Sequence, residues 1–171
     1  LMKSLSNALI ALALCASTAA AQDAATAKAE LKDAKGAVVG QATLTDSPNG
    51  VLVHVVLTGM PAGPHAFHIH ETGTCEAPFT SAGGHFNPAS KQHGMANPMG
   101  MHAGDLPNVQ VPTDGALTFD AMARDVTLGA GANSLFKSGG TAIVMHAVGD
   151  DYKTNPAGAA GARIACGVIA K

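Results

Sequence analysis

Short runs in which apolar and polar residues alternate occupy most of the chain beyond its N-terminal segment. The run Leu117-Thr118-Phe119-Asp120-Ala121 is one example. A period of two places successive side chains on opposite faces of a β-strand, so such runs predict strands with one buried face. Eight strands are predicted: Ala25 to Lys32, Val38 to Leu44, Val51 to Leu57, His65 to Glu71, Val109 to Val111, Leu117 to Val126, Thr141 to Ala147 and Arg163 to Ala170.

Turn-forming residues separate these runs. Pro48-Asn49-Gly50, Pro61-Ala62-Gly63 and Thr113-Asp114-Gly115 are examples. Proline presets the backbone for a turn, and glycine and asparagine adopt conformations that other residues avoid. Short strands at this spacing predict an all-β fold, namely an eight-stranded antiparallel sandwich or barrel.

Two connections break the regular spacing. They run from Thr72 to Leu106 and from Gly149 to Ala162. Loops this long in a compact domain, with no secondary structure of their own, are usually functional. We therefore expect both loops to carry parts of the site.

The first 21 residues have the layout of a secretory signal peptide. Lys3 precedes an apolar run from Ala8 to Ala16, and small residues follow through Ala21. The run is too short to cross a bilayer. We predict a signal at residues 1–21 and a single domain at residues 22–171, exported to the periplasm or the extracellular space and free of the membrane after cleavage.

Charge and cysteine content narrow the class further. The formal net charge is −2 at pH 7, which gives no reason to expect a nucleic-acid partner. Of three cysteines, Cys15 lies in the predicted signal, so Cys75 and Cys166 remain as an even pair. In an oxidising compartment such a pair predicts a disulfide bond.

Two histidines occupy one predicted strand at positions i and i+2. His68 and His70 therefore point from the same face of the sheet, which suits metal chelation. Taken alone, the pair is weak evidence, because such residues are often merely solvated. His146, at the end of the apolar run 141–145, would by itself be read as a buried histidine with its hydrogen bonds satisfied.

The first long connection strengthens the metal hypothesis. His85, His93, His102 and Asp105 follow one another within it, interleaved with glycine and proline. Three imidazoles and one carboxylate form a tetrahedral zinc shell. Few large apolar residues accompany them, so a bound metal would supply the free energy that orders the loop. The alternative is a polar surface loop with no ligand.

With these residues in view, the chain resembles Cu/Zn superoxide dismutase from Gly36 to Lys171. Four motifs carry this resemblance: Gly-Pro-His-Ala-Phe-His-Ile-His-Glu at 63–71, Ser-Ala-Gly-Gly-His-Phe-Asn-Pro at 81–88, His-Ala-Gly-Asp-Leu-Pro-Asn at 102–108 and Ala-Gly-Ala-Arg-Ile-Ala-Cys-Gly-Val-Ile at 160–169. The resemblance implies Greek-key connections and an intrachain disulfide between Cys75 and Cys166.

The resemblance implies one copper and one zinc ion per subunit, with superoxide as the substrate. His85 would serve both ions, as a catalytic residue and as the bridge between them. Copper would be held by His68, His70, His85 and His146, and zinc by His85, His93, His102 and Asp105. The implied reaction is dismutation of superoxide to oxygen and hydrogen peroxide by redox cycling of copper, which would protect against superoxide outside the cytoplasm.

The same resemblance assigns roles around the metals. Arg163 matches the family's guanidinium beside copper, where its fork of donors suits a small anion. Asp150 corresponds to a carboxylate that hydrogen-bonds the copper ligand His68 and the zinc ligand His93. Asp151 is adjacent to it, so the assignment to Asp150 leaves a second candidate.

Several residues receive hypotheses from their own positions. His54 and His65 are expected to be structural. Lys91 and Lys153 lie in the two long connections and either guide superoxide electrostatically or are scattered surface charges.

Three methionines lie in the first long connection. Met95, Met99 and Met101 could load copper(I), which thioethers suit, although ordinary packing or a partner-facing patch is favoured.

A non-catalytic copper- and zinc-binding or copper-delivery module on the same fold is the competing function. The complete copper set together with Arg163 argues against it. A metal-dependent hydrolase is disfavoured because a closed zinc shell leaves no position for a zinc-bound water. The resemblance is compatible with a homodimer and does not identify its surface.

Overall fold

The computed structural model describes residues 24–171. The predicted signal at residues 1–21 and its boundary with the domain lie outside this range. Nine strands and one short 3-10 helix are present in the described part. They are β1 (Thr26–Asp33), β2 (Val38–Ser47), β3 (Gly50–Leu57), β4 (Gly63–His65), β5 (Phe67–His70), the 3-10 helix (Thr80–Ala82), β6 (Val109–Val111), β7 (Leu117–Ala123), β8 (Ala142–His146) and β9 (Arg163–Val168).

The strands form one large sheet and one small one. Seven strands lie in the order β5-β8-β9-β1-β2-β3-β7, and β4 pairs with β6. All pairs are antiparallel. The neighbours β3 and β7, β5 and β8, and β9 and β1 are far apart in the chain, as Greek-key connections require. The predicted all-β antiparallel class is confirmed.

The segment from His65 to Glu71, predicted as one strand, is divided between two. β4 ends at His65 and pairs with β6, whereas β5 begins at Phe67 and pairs with β8. Ala66 lies between them and donates its N–H to the carbonyl of Val148. The strand count is therefore nine instead of eight, because the chain changes partner at Ala66.

Burial follows two different patterns in the large sheet. In β3, Val51, Val53, Val55 and Leu57 are buried and the residues between them are not, as alternation predicts. In β5 and β8 every residue is buried. The loop of residues 71–108, here called the first loop, runs along β5 and covers it. His68 and His70 are consequently enclosed instead of solvated.

The first loop is tied to β5 and β9. Ile69 in β5 donates its N–H to the carbonyl of Gly104 and accepts from the N–H of Phe86. A disulfide joins Cys75 in the loop to Cys166 in β9 across 91 residues of sequence. Chain-entropy arguments assign a crosslink of this length about 4 to 5 kcal/mol of stabilisation.

Within residues 24–171, no helix combines the length and the hydrophobicity that a membrane crossing needs.

Candidate metal centre

Strands and the first loop bring four histidines together at one point. His68 and His70 come from β5, His146 from the end of β8, and His85 from the loop. One ring nitrogen of each lies within 4.8 Å of the others, and all four side chains are buried. We call this group the imidazole cluster. Gly104 allows the loop to approach, because a Cβ there would lie 2.1 Å from the carbonyl oxygen of Ile69.

Ring nitrogens in the imidazole cluster lack partners of their own. His68 Nδ1 and His85 Nε2 are buried and make no hydrogen bond. The Nε2 atoms of His70 and His146 face each other at 3.3 Å. Buried polar atoms are nearly always paired, so two orphaned nitrogens in one cluster fit a bound metal ion. Four imidazole nitrogens form a donor set that copper accepts.

Burial keeps three of the four rings uncharged at neutral pH, because it lowers their pKa values. In the metal-free protein, burial lowers the pKa of His70 to about 2 and that of His146 to about 3. Burial also lowers the pKa of His85 to about 4, against the opposing hydrogen bond to Asp105. At neutral pH these three rings are uncharged and offer lone pairs to a metal.

A second group surrounds the carboxylate of Asp105. We call it the carboxylate cluster; it comprises His85, His93, His102 and Asp105, all buried. Asp105 Oδ1 lies 2.8 Å from His85 Nδ1, 3.1 Å from His93 Nδ1 and 3.3 Å from His102 Nδ1. Donors about 2.0 to 2.1 Å from a tetrahedral zinc ion lie about 3.3 Å apart. The spacing and the donor types therefore fit zinc.

Charge organises the carboxylate cluster. Burial opposes ionisation of Asp105, but hydrogen bonds from His102, His85 and His93 outweigh it and hold its pKa well below the usual range. The N–H groups of Gly94 and His102 donate to Asp105 Oδ2 at 2.9 and 3.0 Å. Burial acts to lower the pKa of His93, yet its bonds to Asp105 and Asp150 raise that pKa to about 9.

Asp150 connects the two clusters. Its Oδ2 accepts from His68 Nε2 at 2.9 Å, and its Oδ1 lies 3.0 Å from His93 Nε2. Burial acts to raise the pKa of Asp150, but the two histidines lower it to about 2. Asp151 is exposed and bonds within its own turn, to the N–H groups of Lys153 and Thr154. The structure thus places Asp150, not Asp151, between the clusters.

Arg163 lies beside the imidazole cluster at the start of β9. Its Nη1 donates to the carbonyl of Phe79 and its Nη2 to that of Gly83, both at 2.6 Å. A cavity of about 310 Å³ borders Arg163 and Gly161. The carbonyl of Gly161 also lies 3.4 Å from Nδ1 of His146. A small anion in this cavity would meet the guanidinium next to the cluster.

Three residues that hold Asp150 and His93 in place were not predicted from the sequence. Asn108 exchanges two hydrogen bonds with the backbone of Asp150, both at 2.8 Å, and Asn155 accepts the N–H of His93 at 2.7 Å. Gly158 must lack a side chain, because a Cβ would lie 1.8 Å from Asp150 Oδ1. Asn108 is the last residue of the motif at 102–108, so that motif could have drawn attention to it. Asn155 and Gly158 lie in the second long connection, where no sequence motif marks them.

The remaining histidines bond outside both clusters. Both ring nitrogens of His65 lie 2.8 Å from carbonyl oxygens, those of His146 and Pro61. His54 is exposed and pairs with Asp120 on the neighbouring strand at 2.7 Å. Both positions agree with structural roles.

The loop methionines and lysines lie on the side of the carboxylate cluster. Met95 and Met101 line a cavity of about 440 Å³ that reaches Asp105, while Met99 is 67% exposed. Lys91 Nζ is 3.9 Å from a carboxylate oxygen of Asp125. Copper loading and electrostatic guidance stay predictions.

Comparison with protein families agrees with this geometry. The model of the family described as copper/zinc superoxide dismutase (SODC) matches residues 38–169. The chain belongs to the copper/zinc superoxide dismutase family. Among its relatives is "Superoxide dismutase [Cu-Zn] 2" of Aquifex aeolicus, which is 49% identical over 171 residues, covering 98% of this chain and 99% of the relative.

Solved structures of the family share the fold. The crystal structure of a SOD-like protein from Bacillus subtilis superposes with a TM-score of 0.80 at 39% identity, over 82% of this chain and 96% of the other. The Cu/Zn superoxide dismutase from Brucella abortus gives a TM-score of 0.68 at 28% identity, over 85% of this chain and 99% of the other.

Proposed function

We propose that this protein is a Cu/Zn superoxide dismutase, which converts two superoxide anions and two protons into dioxygen and hydrogen peroxide. Family membership and the two clusters support copper and zinc as its cofactors. The observation that carries the proposal is the sharing of His85 by both clusters, with Arg163 beside the first. One copper ion and one zinc ion per subunit would fill these two clusters.

We assign copper to the imidazole cluster and zinc to the carboxylate cluster. The orphaned nitrogens of His68 and His85 and the uncharged rings support a copper ion there. The carboxylate of Asp105 and the tetrahedral spacing favour zinc in the other group. When bound, copper would supply one-electron redox chemistry to superoxide, while zinc would keep its oxidation state.

His85 performs two tasks in this scheme. Its Nδ1 faces the carboxylate cluster and its Nε2 faces the imidazole cluster, so an imidazole without ring protons can give one lone pair to each side. In the half-reaction that forms peroxide, Nε2 is the atom placed to hold a proton. In the metal-free protein Nδ1 donates to Asp105; with zinc bound, Nδ1 and Asp105 would both be ligands of that ion, which would keep the ring in position.

Arg163 binds and orients the substrate. Two of its five N–H donors are occupied by the carbonyls of Phe79 and Gly83, which fixes the guanidinium plane. The other donors and the positive charge are available to an anion in the adjoining cavity.

The deciding experiment compares dismutation by metal-reconstituted protein with that of His146→Ala. Loss of one nitrogen ligand from the imidazole cluster should lower the rate constant for superoxide dismutation at least about 100-fold, because the copper ion would lose a ligand and would be less well positioned. His54→Ala, at an exposed histidine remote from both clusters, is the control and should match the unmodified protein. Equal activity in His146→Ala would exclude copper catalysis. Copper binding without any turnover in the unmodified protein would favour a delivery module.

We also propose that the chain is exported, to the periplasm or the extracellular space. The signal-like residues 1–21 and the disulfide support this location. Fractionation of the source cells should find the protein outside the cytoplasm with its N-terminus near residue 22. A cytoplasmic, uncleaved product would contradict the proposal.

A further inference from the structure

We propose that Glu71 is a positioning residue for the dismutase reaction, acting through the peptide bond between Gly83 and Gly84. Glu71 directly follows β5 and is exposed. Its Oε1 accepts the N–H of Gly84 at 2.9 Å. The carbonyl of Gly83, at the other side of the same peptide unit, accepts from Arg163 Nη2 at 2.6 Å and lies 3.0 Å from His70 Nδ1.

One planar group thus joins three side chains. The N–H and C=O of a trans peptide unit point in opposite directions in one plane, so fixing the N–H also fixes the carbonyl. Glu71 therefore sets the direction of the carbonyl oxygen that accepts from Arg163 and lies beside His70.

The local sequence gives a reason for this link, here called the tie, between Glu71 and the peptide unit of Gly83 and Gly84. Two adjacent glycines leave the backbone more conformations than any other pair. Gly83 has a φ of +74°, and a Cβ there would lie 2.8 Å from Glu71 Cγ, so the carboxylate side chain packs directly on this turn. A backbone bond from the N–H of Glu71 to the carbonyl of Gly84 at 2.9 Å completes the contact. Because Glu71 is exposed, its contribution is this polar contact and not core packing.

The substitutions separate charge from reach. Glu71→Gln keeps an acceptor of the same length and loses the charge, Glu71→Asp keeps the charge and shortens the reach, and Glu71→Ala loses both. Glu76→Gln, at an exposed carboxylate in the same loop, controls for the charge alone. This inference rests on the proposed function, so the unmodified protein must first show dismutase activity.

Two measurements decide the matter. The second-order rate constant for superoxide should fall about threefold in Glu71→Asp relative to the unmodified protein and in Glu71→Ala relative to Glu71→Gln, the size of one lost hydrogen bond. Glu71→Gln should behave as Glu76→Gln does. In zinc-loaded, copper-free protein, NMR should show an upfield shift of the Gly84 amide proton and faster exchange of the Arg163 guanidinium protons in the Asp and Ala variants only.

Each alternative result has a distinct meaning. If Glu71→Asp matches the unmodified protein in rate and Glu71→Ala matches Glu71→Gln, the residue acts by its charge alone or not at all, and the inference is wrong. If the NMR signals of Gly84 and Arg163 are the same in every variant, the tie does not exist in solution. An inactive unmodified protein would instead overturn the proposed function, while the NMR comparison would still report on the tie.

Discussion

The imidazole and carboxylate clusters share His85 but are built on opposite principles. Three of the four residues in the imidazole cluster lie on β5 and β8, and burial lowers the pKa of His70, His85 and His146. The carboxylate cluster lies wholly in the first loop and is centred on a buried anion. There burial is outweighed, and the pKa of His93 rises to about 9.

This difference shows what each cluster relies on before a metal arrives. The sheet positions most of the imidazole cluster, in which burial keeps His70, His85 and His146 uncharged at neutral pH. The loop holds the carboxylate cluster through ion pairs and hydrogen bonds. Its buried apolar residues Phe79, Phe86 and Leu106, which the sequence analysis undervalued, anchor the loop on the core. The first should be rigid and sensitive to acid, and the second should depend on its charges.

Acid should distinguish the clusters most strongly. The folded pKa values of His70, His85 and His146 lie below that of an unfolded histidine, so the unfolded chain binds more protons below about pH 6.5. Metal-free protein should lose stability steeply between about pH 6.5 and 4, by several kcal/mol at most. His93, whose pKa is raised, gives a stabilisation that is complete below about pH 6.5 and is lost as the pH rises through about 9.

Urea unfolding of metal-free protein from pH 4 to pH 10 measures both the acid loss and the alkaline loss of stability. Bound zinc should remove the alkaline loss, because a nitrogen of His93 that binds the ion cannot be protonated. A flat profile from pH 4 to 7 would show that the imidazole cluster is not buried in solution.

Asp105→Asn should produce the next largest effect. It removes the anion that His85, His93 and His102 surround, and breaking a buried ionic network of this kind costs about 3 kcal/mol. Urea unfolding of the metal-free variant measures the loss. His146→Ala removes an uncharged member of the other cluster and should cost about 1 kcal/mol. Equal losses would contradict the distinction between charge-held and sheet-held clusters.

Asp150→Asn tests the connection between the clusters. Loss of a carboxylate that orients ligating histidines should weaken zinc binding about 10- to 100-fold, measured by competition with a chelator. Asp151→Asn is the matched control, since Asp151 bonds only within its own turn. Similar weakening in both variants would mean that general charge, and not the bond to His93, is responsible.

The smallest effect is expected from the lysines on the side of the carboxylate cluster. The double variant Lys91→Gln/Lys153→Gln should dismutate superoxide about twofold more slowly at low ionic strength and with a weaker salt dependence. Asp125 offsets part of the Lys91 charge. Lys28→Gln/Lys35→Gln, outside the two long loops, changes the net charge equally. If both pairs behave alike, Lys91 and Lys153 do not guide the substrate.

The sequence predicted the sheet best where one face of a strand is exposed. In β3 and β7, the alternation of apolar and polar residues correctly predicted which side chains face the core. The continuous apolar run of β8 is consistent with burial on both faces, but no pattern indicated this for β5, because its burial depends on the first loop lying over it. The break at Ala66 was missed for a related reason, since only the partner strands, β6 and β8, divide the run from His65 to Glu71.

Site residues were predictable where metal-binding residue types occur at a spacing that suits a shared ion. The i, i+2 pair of His68 and His70 and the series of donors in the first loop point to metal, and the structure brings all of these side chains together. Asn155 and Gly158 were not predictable, because their roles arise from contacts between two loops. The resemblance already favoured Asp150, and its contacts with His68 and His93 distinguish it from the exposed Asp151.

His85 and Asp150 each touch both clusters, so occupation of one site must alter the free energy of filling the other. Thermodynamics makes that influence mutual: whatever factor zinc contributes to copper affinity, copper contributes to zinc affinity. If zinc raises the affinity for copper, a shortage of zinc in the surroundings would lower the amount of copper that the protein retains, and with it the fraction of protein that is active.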